Sequence, residues 1–272
     1  MKKYAVLGNP IEHSKSPEIH RQFAEQTNQQ ISYTRQKLEV SEFEDYVRDF
    51  FNTQGGGLNI TVPFKEMAFA MADKCSKRAQ MAKAVNTLYL DAEQNIVGDN
   101  TDSVGLIRDL RDNHGVKIEN KNLLIAGAGG AVRGVLAGLV SERPARVTIV
   151  NRTAAKAEQL VTEFKEYLNI DASDYQNLGE AKYDLVINGT SMGLSGETPP
   201  LKPSCLAHNC CCYDMMYGNE DTAFVSWAKQ QGVVLTLDGL GMLVEQAAES
   251  FSIWRGIRPQ TDAVLRWLRE QS

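Results

Sequence analysis

Short apolar runs alternate with amphipathic segments along the first hundred residues. The runs predict strands over residues 4–7, 31–38 and 86–90. Two helix starts are also indicated. Ser16-Pro17 reads as an N-cap followed by proline at the first helical position, and Ser41 with Glu44 forms a capping-box pattern before an apolar helix face. Alternation of strands and helices predicts an α/β fold.

A second series of strands and helices opens at Asn122. Strands are predicted over 123–126, 146–150 and 183–187, with a helix rich in small residues over 131–140. After Gly241 the pattern becomes helical, with apolar residues at three- and four-residue spacing from Leu243 to Trp254. We expect this stripe to pack against the first half of the chain, and a last helix to cover 261–269.

The stretch 59–65, Asn-Ile-Thr-Val-Pro-Phe-Lys, places a lysine where a strand ends and a helix begins. Pro63 cannot donate a ladder hydrogen bond and biases Val62 away from the helical conformation. Lys65 therefore falls at a helix N-terminus, whose positive end disfavours a further positive charge. Such a lysine suits proton transfer, although an ordinary surface lysine after a strand fits the same residues.

The turn Gly127-Ala128-Gly129-Gly130 follows a strand and opens a helix, which is the context of a dinucleotide-binding fingerprint. Val132 stands where that fingerprint has its third glycine. The next strand ends at Asn151-Arg152-Thr153, with Lys156 one turn later, where an NAD site carries an acidic residue. Basic side chains suit a 2′-phosphate. We therefore expect NADP as the cofactor; a solvated surface role for Arg152 is the alternative.

Composition narrows the classes of partner. The net charge of −5 is spread evenly, so we expect no nucleic-acid partner. No apolar stretch approaches the length of a membrane span. The five cysteines include the adjacent triplet 210–212 and no metal-site spacing, so we expect no metal, a buried strand at the triplet, and a reducing cytoplasmic location.

Hydroxyl, amide and charged side chains cluster at strand ends in the first half. They are Ser14, Ser16, Asn59, Thr61, Lys65, Asn86 and the run Asp99-Asn100-Thr101-Asp102. Some of these residues could simply cap helices, as Ser16 and Asp102 are placed to do. Ligands nevertheless bind at strand ends in open α/β sheets. This set suits a small polyhydroxylated acid.

Seven motifs together resemble the shikimate dehydrogenase family, in the family's order and spacing. They are Ser14-Lys-Ser16-Pro17, Asn59-Ile-Thr61-Val-Pro-Phe-Lys65, Ala84-Val-Asn86-Thr87, Asp99-Asn-Thr-Asp102, Gly127-Ala-Gly-Gly-Ala131, Asn151-Arg-Thr153 and Asp238-Gly-Leu-Gly-Met242. The resemblance implies a two-domain α/β protein. A substrate-binding domain would span 1–101, completed by 240–272 with the C-terminal helix returning to it, and a Rossmann-type NADP-binding domain would span 102–239.

The resemblance also implies an activity, NADPH-dependent reversible reduction of 3-dehydroshikimate to shikimate in aromatic amino acid biosynthesis. Lys65 and Asp102 would be the catalytic pair. The substrate would be bound by Ser14, Ser16, Asn59, Thr61, Lys65, Asn86, Asp102, Tyr217 and Gln246. The cofactor would be bound by Gly127, Ala128, Gly129, Gly130, Ala131, Asn151, Arg152, Thr153, Lys156, Met215 and Gly239. Lys156 departs from the arginine of many members, which should weaken phosphate binding without abolishing it.

Two alternatives remain open at this point. One is a quinate/shikimate dehydrogenase paralogue with dual cofactor use, against which Asn151-Arg152-Thr153 argues. The other is a non-catalytic ligand-sensing module on the same fold, which would be expected to lose Lys65 or Asp102. A monomer and a homodimer are both compatible with the sequence.

Overall fold

The computed structural model describes residues 1–271, which divide into two compact units. The first unit contains Met1–Gly105 and Leu243–Leu268, and the second contains Leu106–Met242 and the residues from Arg269 onward. The chain therefore passes from one unit to the other within helices. Assignment of the units to substrate and cofactor stays a prediction at this stage.

Twelve strands and ten α-helices are found among the described residues. The strands are β1 (Lys2–Gly8), β2 (Ile31–Lys37), β3 (Gly55–Ile60), β4 (Lys74–Cys75), β5 (Thr87–Leu90), β6 (Ile96–Asp99), β7 (Asn122–Ala126), β8 (Arg146–Val150), β9 (Ile170–Ser173), β10 (Tyr183–Asn188), β11 (Leu206–Asp214) and β12 (Leu235–Leu237). The helices are α1 (Ser16–Gln26), α2 (Phe43–Asn52), α3 (Lys65–Met71), α4 (Lys77–Ala82), α5 (Asp102–Arg108), α6 (Gly130–Glu142), α7 (Ala154–Phe164), α8 (Ala223–Gln230), α9 (Leu240–Arg255) and α10 (Asp262–Glu270).

The first unit is built on a mixed sheet with the strand order β2-β1-β3-β5-β6-β4. Strand β5 runs antiparallel to both neighbours, whereas the other pairings are parallel. The expectation that the polar residues lie at strand ends is therefore wrong for Asn86, which directly precedes β5. Because β5 is reversed, its beginning lies at the same edge of the sheet as the ends of β3 and β6. Asn86, which precedes β5, therefore lies in the polar cluster because β5 runs in the opposite direction to its neighbours.

The second unit is a wholly parallel sheet with the order β12-β11-β10-β7-β8-β9. This is the doubly wound arrangement, in which the chain reverses its direction of travel across the sheet between β7 and β10. Ligands bind outside the carboxyl ends of the strands at that point. The predicted glycine turn follows β7 directly, so the sheet places it at the switch point.

The α9 stripe packs into the first unit, as predicted. Phe251 is buried and forms an edge-to-face contact with Phe23, with ring centroids 5.8 Å apart. Trp254 lies 4.9 Å from the ring of Tyr4 and donates its indole N–H to the Leu88 carbonyl at 3.2 Å. A Cβ at Gly57 would clash with the Trp254 indole nitrogen, so a glycine is needed for this approach. Burial of the Phe251 side chain contributes about 1.5–3 kcal/mol of hydrophobic stabilisation.

Two predicted helix starts differ from the structure. Helix α1 begins at Ser16 itself, with Lys15 at the N-cap, and the Ser16 hydroxyl bonds to Ser14 instead of capping the helix. The capping box uses Glu39 and Glu42 around the short 3₁₀ turn Val40–Glu42, not Ser41 and Glu44. Side chains longer than serine can make the same reciprocal contacts, which is why the serine pattern misled the prediction.

The cysteine triplet lies in strand β11, as predicted, and all three side chains are buried. Cys210 and Cys212 belong to a core cluster that also contains Phe224 and Val186. Within residues 1–271, no helix is both long and apolar enough to cross a membrane.

Candidate active site

A polar cluster occupies the edge of the first sheet where β3 and β6 end and β5 begins. Helix α3 starts at Lys65, five residues after β3, and α5 starts at Asp102, three residues after β6. Strand β3 stops at Ile60, and the Val62–Pro63 peptide that follows is cis. The predicted strand ending and lysine-bearing helix start are confirmed. The sheet thus presents side chains from three neighbouring strands at one place.

Lys65 and Asp102 form a salt bridge in this cluster. The lysine Nζ lies 2.6 Å from Asp102 Oδ2, and the two side chains retain 27% and 12% of their exposure. The lysine is therefore partly accessible to a small molecule at the sheet edge, and the aspartate is mostly buried beside it. An ammonium group held by one carboxylate can donate a proton to a ligand and recover it from the same position.

Asn86 contacts the other oxygen of the same carboxylate. Its Nδ2 donates to Asp102 Oδ1 at 2.8 Å, and its Oδ1 accepts the backbone N–H of Thr101 at 2.8 Å. In this orientation the amide N–H group faces the carboxylate and the amide oxygen faces the Thr101 N–H. Asp102 is thereby held from two sides, and its two oxygens have different partners.

Gln246 of helix α9 completes this part of the cluster. Its Oε1 lies 3.4 Å from Asn86 Nδ2 and 3.3 Å from the Thr101 hydroxyl, while its Nε2 donates to the Leu243 carbonyl. Gln246 comes from a segment 160 residues distant from Asn86. The fold therefore brings Gln246 beside Asn86 and Thr101, and its predicted contact with the substrate stays a prediction.

Asn59 is more buried than Lys65, and its side-chain amide forms hydrogen bonds with other residues of the protein. Its Oδ1 accepts from the Tyr33 hydroxyl at 2.7 Å. Its Nδ2 lies within 3.0 to 3.3 Å of three acceptors, Ser250 Oγ, the Asn86 carbonyl and Thr87 Oγ1. Only 6% of the residue is exposed. The predicted substrate contact by Asn59 stays a prediction, and the contacts present here join it to the strand beside Asn86.

The two predicted serines lie together before and at the start of α1. Ser14 Oγ is 3.2 Å from Ser16 Oγ and also accepts the Ser16 backbone N–H. Arg35 of β2 donates from Nε to the Ser14 carbonyl at 2.8 Å, and its Nη2 donates to both carboxylate oxygens of Glu18 at 2.6 and 2.7 Å. The loop that carries both hydroxyls is therefore anchored to the sheet by one guanidinium.

Thr61 follows β3 and packs its methyl group against Gly8, where a Cβ would lie 2.6 Å from that methyl. Tyr217 lies in the second unit, after β11, and 37% of it is exposed. The predicted substrate contact of Tyr217 thus involves a different unit from the other candidates, and it stays a prediction.

The glycine turn of the second unit has the geometry of a phosphate cradle. Gly127 has φ = +110°, a conformation that favours glycine, and a Cβ there would lie 2.9 Å from the Gly189 carbonyl oxygen. Gly129 and Gly130 have open space where a Cβ would be. Helix α6 begins at Gly130 without a side-chain cap, which leaves its first N–H groups for a ligand.

The departure at Val132 has a local compensation. A Cβ at Gly189 would lie 2.5 Å from Val132 Cγ2 and 3.2 Å from Met215 Sδ. Gly189, the residue after β10, therefore supplies the space that a third glycine on α6 would otherwise provide. A similar close approach occurs at Gly239, where a Cβ would clash with the Met215 carbonyl oxygen.

The end of β8 carries the predicted basic residues. Arg152, Thr153 and Lys156 are exposed, and Asn151 Nδ2 donates to the Thr153 carbonyl at 2.9 Å. In the described part of the chain, neither Arg152 nor Lys156 forms a salt bridge with a carboxylate. Two cations beside an open glycine turn fit a cofactor that carries a phosphate on its adenosine ribose.

The sequence analysis did not identify four residues of the cluster: Tyr33, Arg35, Thr87 and Ser250. Each contacts a candidate residue through a bond that links distant parts of the chain, such as the 3.0 Å bond from Asn59 Nδ2 to Ser250 Oγ. Thr87 belongs to the Ala84–Thr87 motif, which was the only available signal. Nothing in the sequence distinguishes the other three from ordinary strand or helix residues.

Comparisons with known proteins agree with this architecture. Family models match residues 6–88 as shikimate dehydrogenase substrate binding domain, 109–195 as shikimate/quinate 5-dehydrogenase, and 239–269 as shikimate 5′-dehydrogenase C-terminal domain. Shikimate dehydrogenase (NADP(+)) of Alkalilimnicola ehrlichii is 54% identical over 269 residues, covering 99% of both chains. Its counterpart in Cellvibrio japonicus is 53% identical, covering 98% of this chain and 97% of the relative.

A solved structure gives the same result. The shikimate 5-dehydrogenase of Thermus thermophilus, in complex with NADP(H) and shikimate, superposes with a TM-score of 0.88 at 29% identity, covering 100% of each chain. The match extends over both units and over every motif that the sequence pattern singled out. The chain belongs to the shikimate dehydrogenase family.

Proposed function

We propose that the protein catalyses the NADP-dependent, reversible interconversion of shikimate and 3-dehydroshikimate. The observation that carries the proposal is the Lys65–Asp102 pair, 2.6 Å apart and partly accessible, with Asn86 on the second carboxylate oxygen. A site that only senses a ligand has no need of a proton donor held in this way. Membership in the family and the name shared by relatives at 54% and 53% identity support the same activity.

In the reductive direction a ketone becomes a secondary alcohol, which requires one hydride and one proton. NADPH supplies the hydride when it is bound. The Lys65 ammonium donates the proton to the carbonyl oxygen, and in the oxidative direction the neutral amine takes the proton from the alcohol. Asp102 holds the lysine in place and accepts a hydrogen bond from the neighbouring substrate hydroxyl.

The other polar residues of the first unit bind and orient the substrate. The Ser14 and Ser16 hydroxyls donate to its carboxylate, in a loop whose position is set by Arg35. Asn86, Gln246 and Thr61 contact its ring hydroxyls. Uncharged donors and acceptors are suited to a polyhydroxylated ring, because each hydroxyl both donates and accepts.

The second unit holds the cofactor. The turn from Gly127 to Ala131 and the first N–H groups of α6 bind the pyrophosphate. Arg152 and Lys156 bind the 2′-phosphate, with Asn151 and Thr153 shaping the turn that carries them. Met215 and Gly239, which approach each other closely, would line the cofactor in the same unit.

We also propose a cytoplasmic location and either a monomer or a homodimer. Three adjacent buried thiols in β11 are suited to a reducing compartment. Sedimentation velocity over a range of protein concentrations would distinguish the monomer from the dimer.

A direct assay tests the proposed function. Purified protein with shikimate and NADP should produce an NADPH absorbance that grows with time and depends on both compounds. The kcat/KM should be higher with shikimate than with quinate, and higher with NADP than with NAD. Tight NADPH binding without any turnover would instead support a sensing role, and equal rates with NAD and quinate would support the paralogue.

A further inference from the structure

Thr87 directly follows Asn86 in the chain and is fully buried, with 0% of its surface exposed. It is the first residue of β5, and it pairs with Asn59 of β3 on one side and Asp99 of β6 on the other. Burial prevents it from touching a substrate. Its hydroxyl nevertheless belongs to the hydrogen-bond network that ends at Asp102.

Three polar groups surround the Thr87 hydroxyl. It donates to Asn86 Oδ1 at 3.0 Å, lies 2.7 Å from Ser250 Oγ, and accepts from Asn59 Nδ2 at 3.3 Å. A hydroxyl carries one proton, so Ser250 donates to Thr87 when Thr87 donates to Asn86 Oδ1. The Gln246 carbonyl, 3.1 Å from Ser250 Oγ, is the other acceptor within reach of the Ser250 proton. When Ser250 donates to Thr87, the hydrogen bonds run from Asn59 through Ser250 and Thr87 to Asn86.

The start of this network is fixed by a group that keeps its proton. Tyr33 donates to Asn59 Oδ1 at 2.7 Å, and its ring stacks on His20 at 4.3 Å. Burial raises the pKa of the Tyr33 phenol, against smaller opposing effects of Ser16 and Arg35. The phenol therefore stays a donor, and Asn59 turns its Nδ2 towards Ser250 and Thr87.

The end of the network decides how Asn86 faces Asp102. The two ends of a carboxamide have almost the same shape, so its orientation is set by its partners. Thr87 and the Thr101 N–H both donate to Asn86 Oδ1, which leaves Nδ2 for Asp102 Oδ1. A reversed amide would place its oxygen against the carboxylate and its N–H groups against two donors.

We propose that Thr87 is a positioning residue of the proposed active site: its hydroxyl orients the Asn86 amide, which in turn holds Asp102 for Lys65. The inference rests on the proposed function. It adds a role for a residue that contacts neither substrate nor cofactor. It also explains why a threonine is buried at the centre of three paired strands, where valine would fit the same space.

Two substitutions separate positioning from packing. Thr87→Val keeps the branched shape and removes the hydroxyl, whereas Thr87→Ser keeps the hydroxyl and removes a methyl group. If the hydroxyl orients Asn86, Thr87→Val should lower kcat/KM for shikimate by roughly 3- to 10-fold, the value of one hydrogen bond. Thr87→Ser should stay within about twofold of the unmodified protein, and KM for NADP should be unchanged in both variants.

Thr148→Val is the matched control. Thr148 is another buried strand threonine, with a hydroxyl that bonds to Asp171 at 3.0 Å in the second unit. Its substitution should alter thermal stability without altering kcat/KM for shikimate. The proposal is overturned if Thr87→Val retains full activity, or if Thr87→Ser is the more impaired variant. An unmodified protein that does not oxidise shikimate would instead contradict the proposed function itself.

Discussion

Lys65 and Asp102 form a 2.6 Å salt bridge although 37 residues separate them in the sequence. The lysine begins α3 after β3, and the aspartate begins α5 after β6. Reversed strand β5 lies between β3 and β6 and delivers Asn86 to the same carboxylate. The proposed chemistry therefore depends on how the strands are ordered in the sheet.

The choice of cofactor should depend on Arg152. Its removal in Arg152→Ala takes away a charged donor to the 2′-phosphate, so we expect KM for NADP to rise roughly 10- to 100-fold. KM for NAD, which has no such phosphate, should change little. Steady-state kinetics with both cofactors measure this, with Lys165→Ala after the end of α7 as the control. An equal rise for both cofactors would contradict a phosphate-specific role.

Substrate affinity should depend on the Arg35 anchor of the serine loop. Lysine cannot reproduce the fork that binds the Ser14 carbonyl and both Glu18 oxygens together. Arg35→Lys should therefore raise KM for shikimate by roughly 3- to 10-fold while KM for NADP stays constant. Lys37→Ala removes an exposed ion pair from the same strand and serves as the control. An unaltered KM for shikimate in Arg35→Lys would show that Arg35 does not position the serine loop for substrate binding.

Acid stability should depend on His20. Burial lowers the pKa of this imidazole from 6.5 to about 3, with a smaller opposing effect of Asn59. The unfolded chain therefore binds a proton at a higher pH than the folded protein does. Burying the neutral ring therefore lowers the free energy of unfolding only when the pH is below 6.5. As the pH falls from 6.5 towards 3, the free energy of unfolding decreases by about 1.4 kcal/mol per pH unit because the unfolded chain takes up the proton.

Urea unfolding of the native protein and of His20→Phe measures this effect. Phenylalanine keeps an aromatic ring against Tyr33 and has no titrating group. The free energy of unfolding of the native protein should fall more steeply than that of the variant between about pH 6.5 and about pH 5. Parallel curves for the two proteins would show that His20 titrates normally.

The sequence predicted most of the longer elements, since their periodicity is set by one buried face. It did not predict β4, with two residues, or the reversal of β5, because pairing partners decide such short strands. The apolar stripe of α9 was evident from its spacing, and Trp254 with Phe251 packs as expected. The helix start at Ser16 was misread because its hydroxyl bonds to Ser14 instead of capping the helix. The start at Ser41 was misread because Glu39 and Glu42 make the reciprocal capping contacts.

Site residues that belong to local sequence motifs could be predicted, whereas residues that join the site through contacts between distant parts of the chain could not. Lys65, Asp102 and the glycine turn occur in recognisable local patterns. Thr87 meets Ser250 across 163 residues, and a hydroxyl in sequence gives no sign of its partner. The compensation between Val132 and Gly189 was equally invisible, because the two residues follow different strands.

The turnover of Lys65→Ala tests the central claim most directly. Shikimate and NADP at saturating concentrations should give a kcat lower by roughly 10²- to 10⁴-fold than that of the unmodified protein, because no other group replaces the proton donor. Lys74→Ala, which removes an exposed lysine paired with Asp91 and Glu93, should retain full turnover. A Lys65→Ala protein that is folded and keeps most of its kcat would contradict the account.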